Sequence, residues 1–173
     1  MPTDGGPAQF SDEHRAAIQR RQLDQDRTLT ATHQLEEALG RAAPGRASAW
    51  QEAVRAALDD LGAATREEAQ HAEDPLSLLS DVARTQPRLR HRVNGLRAQY
   101  RQVRDTIDSL RSELTNESAD IDAADLRQRL AWPLMALRHQ RARESDLIYE
   151  AYFEAFNRDL AGDSVSGPSS DTA

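Results

Sequence analysis

Residues 87–114 read PRLRHRVNGLRAQYRQVRDTIDSLRSEL, with apolar positions at Leu89, Val93, Leu96, Tyr100, Val103, Ile107, Leu110 and Leu114. Each lies three or four residues from the next, the spacing that puts side chains on one face of an α-helix, and the positions between are mostly charged or polar. A helix with one apolar stripe must bury it against other helices or a sheet. The rest of the chain offers only helices: Ala, Leu, Arg, Glu and Gln dominate, β-branched residues are scarce, and nothing alternates as a strand would.

Upstream, Trp50, Val54, Ala57, Leu58 and Leu61 form a second stripe behind Ser48, a predicted N-cap, with Gly62 as a weak point. The polar run TREEAQHAED then leads to Pro75, placed to open a short helix PLSLLSDVA. The first helix is expected from an N-cap at Ser11, with Asp12 and Glu13 in its first turn, to about Leu39, where GRAAPG stops it. Its apolar positions are Ile18, Leu23, Leu29, Leu35, Ala38 and Leu39. Downstream, a fourth helix is expected from about Asp122 to Leu160, kinked at Pro133. Positions 1–10 and 161–173 carry Pro, Gly and Ser without periodicity and are predicted to be disordered. Four long segments with short connections predict an all-α, up-down-up-down four-helix bundle over 11–160, with one extra short helix between the second and third.

The 173 residues suffice for one domain with a real core. With 29 acidic against 22 basic residues the net charge is −7, which opposes a nucleic-acid surface. No apolar run approaches the ~20 residues of a membrane span, and a signal pattern is not seen, so a cytoplasmic protein is expected. Zero cysteines exclude disulfides, thiolate catalysis and Cys-type metal sites. A Ser/His/Asp elbow, a phosphate-binding Gly loop and His-Glu-x-x-His are all missing, so an enzyme is not expected.

Bundle interiors hold metals when His and carboxylates from several helices point inward. His14 and His91 sit among charged neighbours and read as exposed. His33 precedes Glu36 and Glu37 at helical spacing, and Glu68 and His71 form one Glu-x-x-His, where di-iron bundles use two. In the fourth helix Glu144 falls on the apolar stripe of Leu126, Leu130, Leu134, Leu137, Ile148, Ala151 and Ala155, with Arg141 as its expected partner. His139 falls roughly 140° away, beside Trp132. A separate possibility is that the aromatics of this helix, Tyr149, Tyr152, Phe153 and Phe156, dock a protein partner or a second copy.

The segment LMALRHQRARESDLIYEAY resembles the C-terminal helix of hemerythrin-like (HHE cation-binding) domains, in which a carboxylate follows a His by five residues, as Glu144 follows His139. That resemblance implies a four-helix bundle with a non-haem di-iron centre, ligated from all four helices, that binds or senses oxygen or reactive species. It also places the first-helix ligand at Asp26, or at His33 in a shifted register, the second near Glu68, with His71 beside it, and the third at Tyr100. Most of the family's imidazoles are therefore replaced. The expected function is a non-enzymatic binding or regulatory module with a degenerate metal site and no cofactor; the alternative is an active iron-binding protein using the altered set.

Overall fold

The computed structural model describes residues 12–41, 47–116 and 122–163. Among them every regular element is helical: α1 (Asp12–Gly40), α2 (Ala47–Glu73), α3 (Leu78–Thr85), α4 (Arg90–Asn116) and α5 (Ala123–Asp163), with a 3-10 turn over Pro87–Leu89 leading into α4. The four long helices pack as an all-α bundle, α1 on α2, α2 on α4 and α4 on α5, while α1 and α5 touch more sparsely. The second half of α1 shares one apolar cluster with the first half of α2, the second half of α4 and the first half of α5, so neighbours alternate in direction.

Side chains from neighbouring helices fix the ends. Trp50 donates its Nε1–H to the Ala38 carbonyl at 3.0 Å, which also accepts from the Arg41 amide at 3.3 Å, and Arg127 donates from Nε to the Leu39 carbonyl at 3.1 Å, so the last carbonyls of α1 gain partners from neighbouring helices. Asp122 accepts from the Ala124 amide at 2.8 Å and caps α5. Gly62 has a packing reason: a Cβ there would lie 2.5 Å from Arg111 Cδ, and the bare backbone lets Arg111 cross α2 to Asp59, 2.7 Å away.

The structure moves several expected features. Ser48 lies inside α2, which starts at Ala47, and α2 continues through the polar run to Glu73. The short helix starts two residues after Leu76, because Ser77 accepts from the Ser80 amide at 3.1 Å and caps it, leaving Pro75 in the preceding turn. Pro133 sits inside α5 without ending it. Leu147 is buried where Ile148 was expected. α5 runs three residues beyond Leu160, to Asp163. The predicted cap Ser11, most of the GRAAPG stop and the remaining terminal positions lie outside the described residues.

The largest correction concerns α1. Leu23 and Leu29 are exposed, and the inward face is Asp24, Thr28, Ala31, Thr32 and Leu35. An inward face that is polar for two turns splits the core. One apolar cluster gathers around Leu35, Leu58, Leu61, Ile107 and Leu130, and another around Leu79, Val82, Val93, Leu96 and Leu147. A polar layer lies between them.

Candidate functional site

That layer takes residues from all four long helices. α1 supplies Asp24 and Thr28, α2 Glu68 and His71, α4 Tyr100, and α5 Gln140 and Glu144. Spacings of three and four put each pair on one helix face. Asp24 is 7% exposed, Glu68 7%, Tyr100 4% and Glu144 4%, so the carboxylates must be paired or protonated.

Each carboxylate is answered differently. Glu144 Oε2 accepts from Gln25 Nε2 at 2.9 Å and lies 3.1 Å from Arg21 Nε, both from α1. The expected partner Arg141 is used elsewhere: it donates to the Gln25 carbonyl, and its positive charge acts on Glu68. Asp24 Oδ2 lies 2.8 Å from His71 Nδ1. Glu68 Oε2 accepts from the Thr28 hydroxyl at 2.8 Å, and the Tyr100 hydroxyl reaches its other oxygen at a long 3.5 Å.

Glu68 is pushed up from 4.5 to about 7, chiefly because burial penalises its charge; Glu144 and Asp24 push the same way, while Thr28 and Arg141 oppose them. Burial, and then Glu68 and Glu144, drive the Tyr100 phenol well above its ordinary 10, so it keeps its proton. The centre offsets its carboxylates with guanidinium groups and with burial that favours the protonated form of Glu68.

Two cavities reach Glu68. One of about 40 Å³ lies against α3 and is lined by Arg21, Asp24, Glu68, His71, Tyr100 and Glu144, with room for roughly three waters. The other, about 170 Å³, opens between α1 and α5 and is lined by Thr28, Thr32, His33, Glu68, Gln140 and Arg141. Gln140 Oε1 is buried with no hydrogen-bond partner among the described residues, an acceptor that water entering this gap can satisfy.

Of the residues singled out from the sequence, Glu68, His71, Tyr100 and Glu144 meet in this layer. Asp26, His33 and His139 do not: Asp26 and His139 lie on outer faces, and His33 stands exposed at the rim of the larger cavity. The physical reason is angular. Asp24 precedes Asp26 by about 200°, which faces Asp26 outward, and His139 is turned from Glu144 by the same kind of offset. His14, expected to be exposed, is packed edge-on against Tyr152 with ring centroids 5.0 Å apart. His91 is exposed as expected. Arg21, Asp24, Thr28 and Gln140 were missed. Stepping back from Leu35 by three and four gives 31 or 32, 28 and 24, so the signal was present in polar residues, where a search for apolar stripes does not look.

The residues do not fit the di-iron centre that the resemblance implies. Ligands to such a metal must be free and deprotonated. Here Glu144 already faces Arg21 and Gln25, Asp24 already faces His71, and His139 lies on an outer face, which leaves His71 as the one imidazole among the described residues of the layer. Among the described residues no three His, Asp or Glu side chains converge as a metal site. No helix among them is long and apolar enough to cross a membrane. No protein-family model matches the chain, and no curated protein or solved structure shows significant similarity to it.

Proposed function

We propose that the chain is a non-enzymatic, hemerythrin-like helical bundle with a degenerate metal site, acting as a binding or regulatory module. One observation carries this: the Arg21 guanidinium stands 3.1 Å from the buried Glu144, giving that carboxylate from within the chain the positive charge a cation would supply. Convergence of Asp24, Glu68, Tyr100 and Glu144, one from each long helix, supports descent from a ligand set, whereas the outward His139 removes half of the motif that suggested it. A regulatory role is favoured by burial of Glu68 between two cavities, which pushes its carboxyl up to about 7 and gives the layer a group that can change charge near neutrality. Nucleic acid and membrane are not proposed as partners, and the acidic balance supports that.

The test is the metal content of protein expressed with added iron, read with thermal stability before and after chelation. The expected result is well under one metal per chain and an unmoved Tm. Near-stoichiometric iron with an oxo-bridge or tyrosinate absorption band would overturn the proposal in favour of an active iron-binding protein. That second reading is kept by one observation, the approach of five oxygen and nitrogen donors from four helices to one cavity.

A further inference from the structure

α5 has a second stripe that the bundle does not use. Trp132, Met135, His139, Ala142, Asp146, Tyr149 and Phe153 recur at alternating steps of three and four, the heptad spacing of a helix–helix seam, and all seven are exposed. The buried residues of α5, such as Leu130, Leu137, Glu144 and Ala151, occupy the opposite side. Trp132 is 44% exposed, Met135 55%, Tyr149 69% and Phe153 50%, and Tyr149 stacks on Phe153 at 5.5 Å between centroids. Four large apolar groups along about 30 Å of one helix form a face without a partner helix among the described residues.

The order of residues along this face selects its occupant. Both ends are apolar, Trp132 with Met135 and Tyr149 with Phe153; His139 and Asp146 lie between, and the small Ala142 is at the middle. Such a stripe is self-complementary under a two-fold axis near Ala142, the relation of a symmetric dimer in which residue i meets j and j meets i. Two antiparallel copies set Trp132 and Met135 against Tyr149 and Phe153 of the second copy, and His139 beside its Asp146. Parallel copies instead set Asp146 against Asp146, like charges in a buried seam. Of the flanking charges, Arg138 is engaged with Glu36 and Glu150 with Arg88 and Arg92, while Arg143 donates to Gln99 at 3.1 Å.

We propose that this outer face of α5 docks the same face of a second copy of the chain, antiparallel, about an axis near Ala142. The proposal does not rest on the reading of the polar layer, which lies on the other side of α5.

The absence of cysteine makes the test clean, because one introduced thiol marks one position. Sedimentation of the full chain up to ~200 μM should show a reversible dimer, and Tyr149→Glu or Trp132→Glu should weaken it at least about tenfold without changing the helical circular dichroism signal. With a short bis-maleimide, Ala142→Cys should link to its own mate, and Met135→Cys should link to Tyr149→Cys in a mixture but not to itself. A monomer throughout that range, a dimer unaffected by both Glu substitutions, or self-linking of Met135→Cys as fast as that of Ala142→Cys would each overturn the proposal.

Discussion

Leu35, Leu61, Ile107 and Leu137 are buried in the apolar cluster, and Thr28, Glu68, Tyr100 and Glu144, each seven residues away along the same four helices, are buried in the polar layer. Two helical turns thus separate two kinds of interior on one scaffold. The apolar region holds together by area removed from water and by close packing, both insensitive to pH. The polar region must accommodate three carboxylates, and it does so with the guanidinium groups of Arg21 and Arg141, a contact from His71 to Asp24, and burial that pushes Glu68 toward its protonated form. A helix face that keeps its spacing while changing its chemistry leaves the fold intact and makes one layer responsive to conditions.

The sharpest way to break this contrast is to empty each region in turn. Leu35→Ala should cost about 3–5 kcal/mol by chemical denaturation, equally at pH 5.5 and pH 8, because it removes packing alone. Glu144→Ala should cost about 3 kcal/mol by stranding the groups that face Glu144, and Glu144→Leu clearly less, since it refills the space and Arg21 can turn to water. Small and equal losses from both Glu144 substitutions would mean that water already reaches the carboxylate.

Glu68 should behave in the opposite sense. Its folded pKa is raised above the unfolded value, so the stability linked to its proton is fully present below about 4.5 and is lost as pH rises through about 7. The fold should therefore lose about 2 kcal/mol between pH 5.5 and pH 8. Glu68→Gln should flatten that slope and stabilise the protein by about 3 kcal/mol at pH 8, where nearly the whole shift from 4.5 to about 7 is felt, an unusual result for a core substitution. The smallest effect belongs to a helix end: Trp50→Phe keeps an aromatic side chain but trims the indole and removes the bond to the Ala38 carbonyl, for about 1–2 kcal/mol at either pH.

The apolar half of this comparison was legible in the sequence and the polar half only in part. The stripes from Leu89 to Leu114 and from Trp50 to Leu61 set the helices and their inward faces, and the bundle follows from them. Glu144 could be placed inside because it falls on an apolar stripe, with Leu134 and Leu137 before it and Ile148 and Ala151 after it. Asp24 and Thr28 could not, since polar side chains at helical spacing look the same on a solvated face and on a buried one. Leu23 and Leu29 added to the error by offering an apolar alternative that the fold leaves in solvent. The pairing of Glu144 with Arg21, more than a hundred residues earlier, depends on how α1 lies across α5 and has no local signature.

If the buried layer is neutralised from within the chain, a carbon-13 NMR titration of the Glu68 side-chain carboxyl in chelator-treated protein, assigned with Glu68→Gln, should show a single transition near pH 7. A midpoint near the ordinary 4.5 would contradict it.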